Sequence, residues 1–588
     1  MKLIRRRTFN RMKLRLGRLY GHDRTEQLAD RLYMLIGRYG VVPESGAYTG
    51  EEEGEHQRWD EKDAVLITYG DMVSRPDCAP LKALKEFCDR RLRGAISVVH
   101  LLPFFPSSSD AGFSIIDYRS VDPALGSWDE IESLGRGYGL MVDLVLNHCS
   151  RKSPWFRDYV NGIAPHDSYF QEGDPEEDHR EVFRPRPWKL FSDVETARGL
   201  RHVWNTFSED QVDLNWKSPD VLFDFLDLLL TYVSRGARLI RLDAVAFLWK
   251  EPGTNCIHLP QTHEVVKLMR DVLLTVAPQT ILLTETNVPH EENISYFGEG
   301  DEAHMIYQFA LPPLLLHGLL RNDSTHLQKW ARSLDDPPRE ATYLNFTASH
   351  DGIGVRALED LVPAQEVPWL VEQVKARDGL VSVRSLPDGS EKPYELNITY
   401  RDALRDPEND DHSLRRFMCS QCLMMSLRGI PAVYFQSVVG ASNWTDGPER
   451  EDGEDRDINR QRWQWQDLEE KLDDPEGSEA WILNIYTSML RARAECPAFH
   501  PDATQQVLET GSELFGLVRR SLCGAYTVAC FFNFTAGEIV IDPTLLADVL
   551  GTSDRCWDML CALTPIEVDA CRLGPYECAW IASRQGEF

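Results

Sequence analysis

Gly236-Ala-Arg-Leu-Ile-Arg-Leu-Asp-Ala-Val245 is the stretch whose reading decides the fold. Apolar residues dominate it, and it follows a helix-like segment ending at Ser234-Arg235-Gly236. A buried parallel strand reads this way when it leaves a crossover helix. Its C-terminal end carries Arg241 and Asp243, two residues apart and so on one side of a strand. Alone, that pair has a plainer, less favoured reading as a structural ion pair at a strand end. Two later segments decide against the plain reading. Thr280-Ile-Leu-Leu-Thr-Glu285 is another apolar run ending in a carboxylate, and Ala341-Thr-Tyr-Leu-Asn-Phe-Thr-Ala-Ser-His-Asp351 is a third. Three successive strand-like runs, each closing on an acid, fit a barrel that delivers carboxylates to one mouth.

Working outward, Ala64–Thr68, Ile96–Leu102 and Leu140–His148 read as the first three strands, with helical segments between them. Pro103 and Pro106 end the second, in keeping with the exclusion of proline from strand interiors. The opening stretch is strand four, and strand five ends at Glu285. His304–Phe309 is a sixth, strand seven ends at Asp351, and Gly429–Gln436 is an eighth. The βαβα alternation predicts a parallel sheet closed as a (β/α)8 TIM barrel. Its parts would be 61–148, 218–351 and 412–500. The barrel is interrupted by a Pro-, Arg- and acid-rich lobe at 149–217 after strand 3, and by a second lobe at 352–411 after strand 7. Residues 1–60 form an N-terminal helical extension, with a helix over Gly21–Tyr39 and a polar loop over Glu51–Lys62. Short alternating runs at Ala525–Phe532, Glu538–Ile541 and Cys578–Ile581 predict a C-terminal antiparallel β domain over 501–588.

The chain has 588 residues and a formal net charge of −30, from 63 basic against 93 acidic residues. That excess of acid argues against a nucleic-acid partner. No run reaches the roughly 20 apolar residues of a membrane span. The Arg-rich start, Arg5 through Arg18, has no apolar core behind it and reads as a solvated tail rather than a targeting segment. The 13 cysteines are scattered without metal-type spacing, and Cys419 and Cys422 read as packing on an apolar helix. A cytoplasmic, reduced protein is expected.

Paired carboxylates at a barrel mouth suggest glycoside chemistry, in which one acid must be ionised and another protonated. Arg241 is expected to favour the ionised form of Asp243 and depress its pKa. Glu285, after an apolar strand, is expected to hold its proton more tightly, as a general acid requires. Asp351 could bind hydroxyls and support oxocarbenium charge, and His148 and His350 are donors suited to hydroxyls. A lone histidine is more often a satisfied core residue, but both of these sit at strand ends beside other polar groups.

Asn147-His148, Arg241-Leu-Asp243, Thr284-Glu285 and His350-Asp351 together resemble the four signature regions of the α-amylase superfamily, glycoside hydrolase family thirteen. Longer stretches resemble its sucrose phosphorylase branch. They are Leu102–Pro106 with Ser109–Ser114, Phe183-Arg-Pro-Arg186, Thr206–Asp213, Lys250–Thr254, Asp388–Ser390 with Tyr394–Asn397, and Arg456–Arg460. The similarity runs from about residue 20 to about 585 and is nearest to the members acting on glucosylglycerate or glucosylglycerol. It implies a double displacement in which Asp243 forms a glucosyl ester, Glu285 protonates the departing acceptor and Asp351 stabilises the transition state. Phosphate would then release α-glucose 1-phosphate. The resemblance further implies that Asp110, Phe113, His148, Phe207, Arg241, His350 and Arg456 hold the glucosyl unit. It places Gln211 at the acceptor and Arg186 at phosphate, whose oxygens suit a guanidinium fork.

The partners implied are a small glucoside and phosphate. No organic cofactor and no metal are expected, phosphate being a substrate. The acidic segment Asp446–Arg456 suggests a neutral acceptor, so glucosylglycerol is expected ahead of glucosylglycerate, with sucrose behind both. A hydrolase or transglucosidase on the same barrel is the nearest rival. A catalytically silent binding scaffold is a more distant one, since Asp243, Glu285 and Asp351 are all retained.

Overall fold

A computed structural model describes residues 6–40, 57–386, 390–450, 453–551, 555–561 and 564–583. The start of the polar 51–62 stretch, Asp388 and Gly389 of one motif, and residues 451–452 of the acidic segment lie outside the described residues. Eight parallel strands close into a barrel: β1 (Val65–Thr68), β2 (Val98–Leu101), β3 (Gly139–Val145), β4 (Ala237–Asp243), β5 (Ile281–Thr284), β6 (Met305–Tyr307), β7 (Thr342–Phe346) and β8 (Ile430–Tyr434). They follow one another round the barrel in chain order. This is the fold predicted from sequence, and its reason is visible in β4. The chain descends through the helix Pro219–Ser234 and turns at Gly236, whose φ of 98° suits a residue without Cβ. It then enters a strand buried on both faces. Ile240 and Leu242 are fully buried, while Arg241 and Asp243 share the opposite face.

Register places the charges. Asp143 of β3 lies opposite Arg241, and Val145 lies opposite Asp243. On the other side Leu283 lies opposite Arg241, and Thr284 opposite Leu242, so Glu285 leaves β5 beside Asp243.

Two expectations need correction. Strand seven ends at Phe346, and His350 and Asp351 sit in the loop beyond it. The apolar run ceases at Phe346, and Thr347-Ala-Ser has nothing to hold it in the ladder. The basic start is not a solvated tail either. Arg6–Tyr20 is a helix, followed by Thr25–Tyr39. Met12 and Leu16 are fully buried, each worth roughly 1.5–3 kcal/mol on burial. Arg15 Nε donates to Asp271 at 2.8 Å and Arg18 to Glu264 at 2.6 Å, clamping this helix to the helix Pro260–Val276 that precedes β5.

Both inserts converge on the C-terminal ends of the strands. In the first, Gln211–Asp213 pairs antiparallel with His148–Ser150, and a hairpin joins Phe191–Thr196 to Gly199–Trp204. In the second, Ile353–Gly354, Leu380–Ser385 and Glu391–Asn397 form a three-stranded sheet. A six-stranded antiparallel sheet spans Thr504 to Ala582 and packs on the helix Asp410–Ser426, where Trp580 Nε1 donates to Ser426 at 2.7 Å. Among the described residues, no helix is long and apolar enough to cross a membrane.

Candidate active site

One pocket at the mouth gathers every site residue expected from sequence: Asp110, Phe113, His148, Arg186, Phe207, Gln211, Arg241, Asp243, Glu285, His350, Asp351 and Arg456. It also gathers residues given no role there, namely Pro185, Ala244, Phe247, Thr286, Asn287, Tyr394 and Glu395. Ala244 and Thr286 follow the two strand-end acids directly. Tyr394 and Glu395 lie in a motif quoted for the resemblance, and nothing local in that motif points at the pocket.

At the floor, Arg241 Nη1 bridges two acids. It donates to Asp143 and, at 2.7 Å, to Asp243, while Nη2 lies 3.9 Å from Glu285. Asp143 is in turn 2.8 Å from His100, and although burial opposes it, Arg241 and His100 hold its pKa at about 2. So the guanidinium is shared, which the sequence could not show. Burial pushes Asp243 up, and the charges of Glu285, Asp143 and Asp351 add to this against Arg241. The expected depression of Asp243 is therefore not found. Glu285 is also raised, by burial first and Asp351 next. Two acids so close hold one proton between them. The direct guanidinium bond is to Asp243, so its charge is the better stabilised and the proton belongs on Glu285. Ala244, in left-handed conformation at φ 49°, turns its N–H to donate to Glu285 at 3.1 Å. Asp110 and Asn287 also have positive φ. Such strain persists only where surrounding structure enforces it, and it clusters at functional sites.

Around the rim, Arg456 reaches Asp351 at 2.6 Å through Nη1. Through Nε and Nη2 it grips Glu395 at 3.0 and 2.7 Å. Burial would raise Asp351, yet Arg456 and His350 hold it well below the usual carboxylate range. Glu395 moves the other way, pushed up by burial and by the charge of Asp351 while Arg456 opposes. The His350 ring stacks on Phe113 at 4.9 Å between centroids, an apolar wall for one face of a sugar.

His148 Nε2 is 3.2 Å from the Phe113 carbonyl and 3.1 Å from Gln211 Nε2. Burial pushes His148 down to about 4 and His350 to about 3, so both are neutral imidazoles near neutral pH. Asp110 Oδ2 accepts from Gln211 at 2.9 Å, and Oδ1 is buried with no hydrogen-bond partner among the described residues, as an acceptor kept for a ligand hydroxyl would be. Asn147 faces away from the pocket chemistry. Its Oδ1, the Asp213 carboxylate and the Phe247 carbonyl surround the Lys250 ammonium at 2.7, 2.6 and 2.5 Å. An oxygen cluster of the kind a cation would use is thus filled by the chain's own lysine. Of the acidic segment, Asp446, Glu449 and Asp455 are exposed, and Glu454 is partly buried within electrostatic reach of Asp110 and Arg186.

Paired acids at the C-terminal mouth of an eight-stranded barrel, one bonded to a strand arginine, define a glycoside-processing enzyme of the α-amylase type. The chain belongs to the α-amylase superfamily: residues 94–344 match the α-amylase catalytic domain. Within it the chain falls in the phosphorylase branch, among glycosyltransferase-type enzymes. It is 46% identical over 528 residues to a glucosylglycerate phosphorylase of Spirochaeta thermophila, covering 89% of each chain. It is 31% identical to a glucosylglycerol phosphorylase of Marinobacter adhaerens, over 74% of this chain and 88% of the relative. Among solved structures, sucrose 6F-phosphate phosphorylase from Thermoanaerobacter thermosaccharolyticum superposes with a TM-score of 0.70 at 23% identity, covering 80% of this chain and 94% of that one. The sequence-based preference for glucosylglycerol over glucosylglycerate finds no support in these relatives. Of the segment's four described acids, Asp446, Glu449 and Asp455 are exposed to solvent, and none of the four lines the pocket.

Proposed function

We propose that this protein catalyses the reversible phosphorolysis of glucosylglycerate to α-glucose 1-phosphate and glycerate, with net retention. The observation that carries the reading is Asp243 and Glu285 flanking the Arg241 guanidinium, in a pocket whose rim presents Arg186. The identity of the nearer relative supports glycerate as acceptor.

In the first half-reaction the Asp243 carboxylate attacks the anomeric carbon as the bond to the glycerate oxygen breaks. Glu285 gives its proton to that oxygen, leaving a glucosyl ester on Asp243. Asp351, kept ionised by Arg456, stabilises positive charge developing on the ring. In the second half, a phosphate oxygen attacks the anomeric carbon from the side glycerate left, and Glu285 takes the phosphate proton. The ester bond breaks and Asp243 returns as carboxylate. Two inversions leave the α configuration.

The test is release of α-glucose 1-phosphate from glucosylglycerate, glucosylglycerol and sucrose, with and without phosphate. Phosphate-dependent release, fastest from glucosylglycerate, is expected. Phosphate-independent free glucose would make the protein a hydrolase, and faster turnover of glucosylglycerol would restore the neutral acceptor.

A further inference from the structure

The pocket presents five carboxylates, Asp110, Asp243, Glu285, Asp351 and Glu395, against three guanidiniums. Arg241 is committed to Asp143 and Asp243. Arg456 uses Nη1 on Asp351, and Nε and Nη2 on Glu395. Arg186 differs from both. Among the described residues its one hydrogen bond is a long 3.5 Å contact to Asp110 Oδ2, an atom already accepting from Gln211 at 2.9 Å. Its guanidinium carbon lies 5.9 Å from the centroid of the Phe207 ring, which borders the same pocket, and its side chain is 21% exposed. Arg186 is therefore, of the three pocket guanidiniums, the one whose charge is tied up by no close ion pair.

On the functional reading above, two anions use this pocket in turn. Glycerate carries a carboxylate and leaves before phosphate enters. Both stand on the same side of the glucosyl unit, because leaving and attack occur at the same face of the anomeric carbon. With five carboxylates around it, an anion there without a dedicated cation would be repelled. The resemblance already places Arg186 at phosphate; we propose that the same guanidinium also reads the glycerate carboxylate in the first half-reaction, one anion seat used twice. A planar fork of N–H donors fits both groups. Arg186 then sets the preference for an acidic over a neutral acceptor as well as the affinity for phosphate. This rests on glycerate being the acceptor.

A double displacement separates the two roles kinetically. The kcat/KM for the glucoside reports the first half-reaction, and the kcat/KM for phosphate reports the second. Both would be measured for wild type, Arg186→Ala and Arg186→Lys, using glucosylglycerate and glucosylglycerol. In Arg186→Ala, kcat/KM for phosphate is expected to fall about tenfold or more, the scale of a lost charge-assisted hydrogen bond. The ratio of kcat/KM for glucosylglycerate over glucosylglycerol should fall by a similar factor. Arg186→Lys keeps a point charge without the fork and should lie between on both scales. It also keeps the test alive should the alanine variant fail to fold. A phosphate defect with an unchanged glucoside ratio would overturn the shared seat and leave the functional reading intact. Wild-type protein that releases no glucose 1-phosphate from glucosylglycerate would overturn the reading itself, and the seat with it.

Discussion

Arg241 sits on a barrel strand and faces acids carried by β3, β4 and the end of β5, whereas Arg456 sits in the loop region after β8 and ties acids from the loop after β7 and from the second insert. The first cluster is fixed by backbone ladders, so its spacing follows from strand register alone. In the second, the insert's own short ladder holds Glu395 beside the segment after Asp351, but the segment carrying Arg456 is tied to both acids by side-chain bonds. On the mechanism proposed above, the groups that make and break covalent bonds occupy the first cluster, where sub-ångström placement matters most. On the same reading the second cluster grips the sugar, with Asp351 also steadying ring charge, and part of its geometry is held by loops. The contrast predicts steep losses on the floor and shallow ones on the rim.

The largest effect is expected at Asp243. Asp243→Asn keeps shape and packing but removes the nucleophile, and kcat should fall by about 10⁵-fold or more, as for other obligatory nucleophiles. Steady-state assays alongside a thermal melt check it. A loss of less than a hundredfold in folded protein would mean that another carboxylate forms the ester.

Next comes Glu285→Gln, with a loss on glucosylglycerate of about 10²–10⁴-fold, the usual range for general acid catalysis. The loss in kcat/KM for the glucoside, which reports only the first displacement, should nearly vanish on a glucoside whose leaving group needs no proton. The pH profile gives an independent reading. Burial raises Glu285, so it stays protonated into the range where ordinary glutamates are ionised, and kcat/KM should decline as pH rises through its titration. Glu285→Gln should lose that alkaline limb. His148 and His350, pushed down to about 4 and about 3, are already neutral there and add nothing to it.

How much of this was legible follows the same division. Arg241 and Asp243 could be read as partners because strand side chains repeat every second residue. Glu285 could be read because an apolar strand ends on it. That Asp143 shares the guanidinium could not be read, since it depends on the register between β3 and β4 rather than on either sequence. The expected pKa of Asp243 failed first because burial raises it, a tertiary property no strand shows alone, with the charges of Glu285, Asp143 and Asp351 adding to it. Arg6–Tyr20 was read as a solvated tail because the acids that neutralise it, Asp271 and Glu264, lie some 250 residues away. Glu395 has no local signal. Its partner Arg456 is 61 residues on, across three helices and a barrel strand, and only tertiary closure brings them together.

Glu395 is therefore the residue that probes the contrast most finely, and the smallest effect is expected there. Glutamine at this position keeps the length and one carbonyl acceptor for Arg456. It loses the charge and turns an amide donor toward a guanidinium that also donates. Arg456 would then be held mainly by Asp351, so the sugar-gripping groups loosen while Asp243, Glu285 and Arg241 stay in place. Glu395→Gln should raise KM for the glucoside by about tenfold, within the range for one charge-assisted hydrogen bond. It should leave kcat nearly unchanged, the signature of binding lost equally from ground and transition states. The alkaline limb should persist, because Glu285 is untouched. If kcat fell as far as in Glu285→Gln, or the alkaline limb moved, Glu395 would be taking part in proton transfer. The two arginine clusters would then be one catalytic network, held together through Asp351, which carries its charge toward both.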